Sequence, residues 1–195
     1  MLVTIIIPCY NEIHTLSKII KLVNEQNYID KEIILIDDCS IDGTRDLIKN
    51  SVYKQVSKVI YHDKNLGKGA AIRSGLKLAS GDVILIQDAD LEYNPNNYSD
   101  LLKPIIDGKA DVVYGSRFMG PGPSRALYLW NRVGNKVVTL LCNLCTNLNL
   151  TDMETCYKVF KKEFVENITL EENKFGIEPE LTIKFSKQKA RIYEV

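Results

Sequence analysis

Three things are scarce in this 195-residue chain: surplus charge, pairable cysteines and long apolar runs. Lys plus Arg and Asp plus Glu each number 25, so the net charge is zero. A protein whose main partner is nucleic acid needs a basic surplus or a basic face for the phosphates, and the charge balance argues against that partner. Five cysteines, an odd number scattered along the chain, make no disulfide framework. Cys142 and Cys145 form a C-x-x-C with no second pair, inside a helix-patterned stretch, and read as two small apolar residues on one helical face. Neither His14 nor His62 has a partner at metal-ligand spacing, and both are expected on the surface or in loops. No stretch approaches the ~20 apolar residues of a spanning helix, and MLVTIIIPCYNE carries no basic segment ahead of its short apolar run, so it is no secretion signal. These absences lead to the expectation of a reduced, cytoplasmic protein that touches a membrane only peripherally, at its cytoplasmic face. No G-x-G-x-x-G follows the first apolar run, which weighs against a dinucleotide oxidoreductase.

What is present is ordinary for a globular protein, with 45% hydrophobic and 26% charged residues, and the length suits one domain. Short β-branched runs occur at residues 3–7, 32–36, 58–61, 83–86 and 111–114. Helix-period segments at 13–24, 44–54 and 68–79 separate the first four. Strand alternating with helix implies an α/β fold with a mainly parallel central sheet flanked by helices. In such sheets ligands bind beyond the carboxyl ends of the strands. There the chain places Pro8 to Glu12, Asp37 to Thr44, Gln87 to Tyr93, and Gly115 to Arg117.

The second half changes character. Residues 125–150 read as a long helix with polar residues at Asn131/Arg132, Asn135/Lys136, Thr139, Asn143 and Asn147. Its other side carries Leu127, Trp130, Val133, Val137, Leu141, Leu144 and Leu148, and Gly134 interrupts the pattern. A broad apolar face of this kind is expected to be core. Tyr128 and Trp130 beside Arg125 and Arg132 also suit a helix lying on a membrane surface.

Asp88-Ala89-Asp90 is the strongest local feature. Two aspartates at a strand end both reach the loop cavity, and their like charges call for a cation. Hard oxygen ligands with open positions suit Mg²⁺ or Mn²⁺ bridging substrate phosphates. Glu92 follows as a further ligand or as the holder of a metal-bound water. A D-x-D alone also fits a solvated turn. In the stretch from Asp37 to Thr44, Ser40 or Asp42 caps the helix starting near Thr44, which leaves the Asp37–Asp38 pair for another role, such as accepting from a base N–H. Residues 65–69 (NLGKG) open a helix; they either present N–H groups to phosphate or are simply a glycine-rich helix start.

In order, residues 3–12 (VTIIIPCYNE), 36–44 (IDDCSIDGT), 65–75 (NLGKGAAIRSG), 88–93 (DADLEY) and 115–118 (GSRF) resemble glycosyltransferase family 2, with its Rossmann-like GT-A fold. Within it they look like the dolichyl-phosphate mannose synthase-like branch, whose later motifs are similar to residues 151–160 (TDMETCYKVF) and 175–182 (FGIEPELT). The resemblance implies an inverting transferase that uses a GDP- or UDP-linked sugar and, most readily, a polyprenyl phosphate acceptor. A saccharide hydroxyl acceptor is the alternative, as is a non-catalytic nucleotide-sugar-binding module. It also implies that Pro8, Tyr10, Glu12, Asp37, Asp38, Lys68 and Asp88 bind the donor, and that Asp88, Asp90 and Glu92 hold the metal. Arg117 and Arg132 would clamp the acceptor phosphate and act with Asp90 in catalysis. If a hydroxyl must be deprotonated, Asp152, Glu178 and Glu180 are the candidate bases. The family pattern continues past Val195 with a proline-led strand and a basic segment, so the resemblance implies a single catalytic domain over residues 1–195, truncated at its C-terminus.

Overall fold

The computed structural model describes residues 1–119 and 128–195. The longest apolar runs form the middle of a seven-stranded sheet. Strand β1 (Leu2–Cys9) pairs in parallel with β2 (Asp30–Asp37), in register from Leu2 opposite Asp30 to Cys9 opposite Asp37. Ile5, Ile6, Ile7, Ile34 and Leu35 are fully buried. Continuous rather than alternating apolar sequence is what a strand covered on both faces requires.

Helix α1 (Leu16–Asn24) supplies one cover by burying Leu16, Ile19, Ile20 and Val23, a single stripe at helical spacing. Helix α3 (Lys68–Leu78) lies close to the sheet because its packing face is small; a Cβ at Gly75 would stand 2.7 Å from Ile6 Cγ2. Between them come α2 (Thr44–Asn50) and β3 (Lys58–Tyr61), and after them β4 (Val83–Ile86), α4 (Tyr98–Ile106) and β5 (Val112–Tyr114). The long helix is α5 (Leu129–Thr146); β6 (Lys158–Lys161), α6 (Glu163–Glu166), α7 (Ile177–Lys187) and β7 (Ile192–Glu194) complete the chain.

The sheet order is β3-β2-β1-β4-β6-β5-β7. Only β6 runs antiparallel, to both β4 and β5. The chain moves from β1 outward to β2 and β3, then crosses back to β4 on the other side of β1. The order therefore reverses between β1 and β4, which opens a crevice beyond their carboxyl ends.

The expected strands and first three helices stand where the periodicity puts them, with two differences. The helix expected at 44–54 breaks after Asn50, and Val52–Gln55 form a separate 3₁₀ turn. The long helix runs only from Leu129 to Thr146, short of the expected residue 150, and ends at Asn147 in the left-handed region; positions 125–127 of the expected helix lie outside the described residues.

The burial of α5 overturns its expected orientation. Trp130 is 79% exposed, Leu144 73% and Leu141 57%, while the buried residues of this helix are Thr139 and Cys142. Of the polar stripe, Asn135, Thr139 and Asn143 face inward and are used, while Asn131, Arg132, Lys136 and Asn147 are exposed: Asn135 Nδ2 donates to Asp152 at 2.9 Å, and Thr139 Oγ1 accepts from Met153 N–H at 3.2 Å. Asn143 exchanges two hydrogen bonds with the backbone of Leu150. These bonds satisfy backbone and carboxylate groups that would each cost about 1–3 kcal/mol if buried unpaired.

Candidate active site

Three loops meet at the crevice, each turning through a non-glycine residue at positive φ: Asn11 (58°) after β1, Cys39 (65°) after β2 and Leu91 (65°) after β4. Such conformations are uncommon, above all for a leucine, and persist where the surroundings over-determine them. Here hydrogen bonds do so. Asn11 N–H donates to Ser40 Oγ, Asn11 Oδ1 accepts from Ile41 N–H, and Glu12 N–H donates to Thr44 Oγ1, at 2.8–2.9 Å. Asp42 accepts from Thr44 N–H at 3.0 Å and from Ile13 N–H at 3.2 Å, although the N-cap position itself is Gly43, which corrects the capping expectation. Ser40 serves the neighbouring loop instead.

The β4 loop hangs from Gln87, which is fully buried. Its Oε1 accepts from the hydroxyls of Tyr98 and Tyr157 at 2.8 and 3.0 Å, and its Nε2 donates to the carbonyls of Asp88 and Tyr93 at 2.9 and 3.2 Å. All four capacities of the amide are filled, so the residue before Asp88 is rigid.

The acidic cluster forms on this frame. Partial desolvation, with the Asp88 and Glu92 carboxylates, pushes the Asp90 carboxyl above its ordinary value. The Glu12 carboxyl is also raised, first by desolvation and then by Asp90, Asp42 and Asp88, against a hydrogen bond from Thr15. Among the described residues no three Asp, Glu, His or Cys side chains gather within ligating range; Glu92 N–H donates to Asp90 Oδ1 at 3.0 Å. Mg²⁺ characteristically takes one or two carboxylates and completes its shell with phosphates and water. A crowded pair, Asp88 and Asp90, whose charges repel each other, fits that requirement without a third protein ligand.

Lys68 reaches this cluster. Burial alone would depress its ammonium, but Asp88 and Glu178 hold it well above the usual lysine range. Its Nζ lies 3.0 Å from Asp88 Oδ1 and 3.0 Å from Glu178 Oε1. The rest of the NLGKG segment does not face a ligand in the way the phosphate-cradle reading expects. Leu66 and Gly67 donate their N–H groups to Asp38 at 2.9 and 2.7 Å, and Ala70 donates to Asn173 O at 3.1 Å. The two glycines are there for close approach: a Cβ at Gly67 would stand 2.4 Å from Asn173 O, and one at Gly69 would stand 2.3 Å from Glu172 O.

The adjacent aspartates diverge. Asp37 is wholly buried, accepting from Ser40 N–H at 3.1 Å and pairing with Arg45 Nε. Both its carboxylate oxygens are thereby engaged. Asp38 is almost as buried and holds His62 Nδ1 at 2.6 Å, and His62 Nε2 meets Ser74 Oγ at 2.9 Å. His62 is thus a buried strut in the loop after β3 and not a surface histidine. Pro8 is half-buried and Tyr10 is 44% exposed, so the ring is free to receive a planar group.

On the other flank, Arg117 forms a two-pronged pair with Asp152, Nε to Oδ2 at 2.7 Å and Nη2 to Oδ1 at 2.8 Å. This hydrogen-bonded pair raises the guanidinium. Burial would raise the Asp152 carboxyl, but Arg117 and Asn135 hold it below its ordinary range. Arg132 is exposed, and its guanidinium lies 5.5 Å from the Phe118 ring centre, with that of Arg117 at 5.9 Å. The two arginines converge on one ring. All five cysteines are free thiols, with Cys142 buried and Cys145 exposed.

No sequence signal marked Gln87, His62 or Asn135 as supports. Each acts through a partner more than ten residues away, beyond the reach of a motif.

Comparison with known proteins extends the same picture. The chain is 30% identical over 187 residues to a dolichol-phosphate mannosyltransferase of Pyrococcus furiosus, covering 94% of this chain and 53% of that protein. It is 29% identical over 189 residues to glycosyltransferase AglJ of Haloferax volcanii, covering 95% and 59%. It thus spans a little more than half the length of these relatives. Among solved structures, glucosyl-3-phosphoglycerate synthase from Mycobacterium tuberculosis, in complex with Mn²⁺, UDP and phosphoglyceric acid, aligns at TM-score 0.76 and 20% identity over 99% of this chain and 67% of that one. TarS of S. aureus aligns at TM-score 0.69 and 20% identity over 100% and 58%. The fold is therefore the expected GT-A architecture. Because residues 4–169, nearly every element that builds the crevice, also match the family described as glycosyl transferase family 2, the chain belongs to that family.

Proposed function

We propose that this domain moves a sugar from a UDP- or GDP-linked donor to a polyprenyl phosphate at a membrane surface, with inversion at the anomeric carbon. The acceptor's phosphate oxygen forms the new bond to that carbon as the bond to the donor's β-phosphate oxygen breaks, and the nucleoside diphosphate leaves with the electron pair. Asp88 and Asp90 would hold Mg²⁺ or Mn²⁺, which supplies Lewis-acid neutralisation of the leaving diphosphate. Tyr10, Glu12 and Asp38 bound the nucleotide end of the crevice. Support for a nucleotide donor comes from the family and from the UDP held by the similar synthase.

One observation carries the acceptor: the three carboxylates expected as bases for a hydroxyl, Asp152, Glu178 and Glu180, are each paired with a cation. Asp152 is saturated by Arg117 and Asn135. Glu180 accepts from the N–H groups of Glu171 and Glu172 and pairs with Lys184. Glu178 is buried on Lys68. A phosphate nucleophile is already anionic near neutral pH and needs no base. The outward apolar face of α5, which carries Arg132 and Lys136 and no acidic residue, adjoins the two arginines and suits an anionic lipid surface. No helix among the described residues is long and apolar enough to cross a membrane.

Arg132 is the cleaner clamp to test, because reversing Arg117 would leave Asp152 buried and unpaired. Arg132→Glu should reduce transfer to polyprenyl phosphate at least tenfold, the scale of one lost charged hydrogen bond, and leave nucleoside diphosphate affinity unchanged. Efficient transfer to a soluble sugar hydroxyl, with polyprenyl phosphate ignored, would refute the acceptor.

A further inference from the structure

Lys68 is caught between two carboxylates, and one of them is incompletely used. Its Nζ lies 3.0 and 3.1 Å from the two oxygens of Asp88 and 3.0 Å from Glu178 Oε1. Glu178 is only 4% exposed, and its Oε2 is buried with no hydrogen-bond partner among the described residues. Native interiors rarely leave such an oxygen unpaired, because a buried acceptor without a donor forfeits its hydration for nothing. Lys68 is the cation already in contact with this carboxylate. An ammonium has three donors in a rotatable head, so a small shift lets it serve both Glu178 oxygens.

Asp88 cannot serve Lys68 and a divalent cation equally. A cation on the Asp88 carboxylate repels the ammonium beside it, and the ammonium must keep a counter-charge because it is largely buried. Glu178 is in contact, carries a charge and has an acceptor to spare. It sits in the first turn of α7, an element separate from the Asp88 loop. Lys68 can therefore leave one element for the other without either backbone moving.

We propose that Glu178 is the positioning residue that draws Lys68 off Asp88 when a divalent cation binds, so that Lys68 acts as a resident stand-in for the metal. This rests on the reading of Asp88 and Asp90 as metal ligands. It assigns Glu178 neither contact with substrate nor a part in proton transfer.

The test is Mn²⁺ binding to the whole chain without nucleotide, read from the paramagnetic resonance of the free aquo ion. Glu178→Gln should raise the dissociation constant about tenfold, in the range of couplings between contacting charges, because the lysine then stays on Asp88. Lys68→Met should lower it, and Glu178→Gln should add nothing in the Lys68→Met background. That last arm separates exchange from simple attraction of Mn²⁺ by a nearby carboxylate. An equal weakening by Glu178→Gln in both backgrounds would overturn the proposal, as would no weakening at all. Should Glu178→Gln fail to fold, Lys68→Met decides alone, and loss of Mn²⁺ affinity in it counts against exchange. If wild type binds no Mn²⁺, or Asp88→Asn binds it as well as wild type, the metal reading itself falls and the exchange with it.

Discussion

Asp37 and Asp38 are neighbours in sequence with different duties, and only their surroundings separate them. Asp37 is spent on Arg45 and Ser40 beneath the crevice. Asp38, almost as buried, fastens the Asn65–Gly67 turn through Leu66 and Gly67 and holds His62. Removing Asp38 therefore disturbs the fold as well as the site. Asp38→Ala should weaken nucleoside diphosphate binding and also lower folding stability by about 1–3 kcal/mol, because it leaves the buried His62 and the N–H groups of Leu66 and Gly67 without their acceptor. Chemical denaturation alongside calorimetry separates the two effects. Unchanged stability would show that the turn does not depend on this carboxylate. The strand-end positions of Asp88, Asp90 and Arg117 were legible because each lies in a local motif. The Lys68–Glu178 pair was not, since its members lie over a hundred positions apart and meet only when α7 folds back beside α3.

At the scale of elements, the sheet was readable because its central strands must be apolar on both faces and its helices must bury one stripe. Strands β6 and β7 are too short to show a period, and α4, which was not anticipated, carries Pro104 inside it. Polar groups inside the sheet make their own prediction. Glu32 of β2 accepts from Thr4 of β1 at 2.8 Å, Lys58 of β3 at 2.7 Å and Ser80 N–H at 2.9 Å, tying three strands together. Burial would raise its carboxyl, but these partners, Lys58 foremost, draw it down to about 2. A carboxyl depressed in the folded state stabilises above its unfolded value, and that contribution fades as pH falls toward the folded one. Glu32→Gln should cost about 1.5–3 kcal/mol at pH 7, with the difference from wild type narrowing between about pH 5 and pH 2. A pH-independent difference in urea denaturation would contradict this.

Helix α5 was correctly placed and incorrectly turned, because amphipathic periodicity locates two faces without saying which one the domain needs. Here Asp152 and Met153 need the polar one. Leu144→Glu should therefore alter stability by less than about 0.5 kcal/mol, as surface changes do. Together with Trp130→Glu it should abolish flotation with anionic lipid vesicles. A large loss of stability in Leu144→Glu would mean that the apolar face is covered in the native protein.

For the whole molecule, the reversal of strand order between β1 and β4 joins fold to function. It brings Glu12, Asp88 and Asp90 within electrostatic reach of one another, with Lys68 on Asp88 and Arg117 just past β5. The central claim is that this crevice binds a nucleoside diphosphate through a divalent cation on Asp88 and Asp90, and it is tested most directly by calorimetry with UDP and GDP, with and without Mn²⁺. In wild type, at least one nucleotide should bind at least tenfold more tightly with Mn²⁺, about 1.4 kcal/mol, and Asp90→Asn should lose that increment while keeping the metal-free affinity. Undiminished metal-dependent affinity in Asp90→Asn would contradict the account.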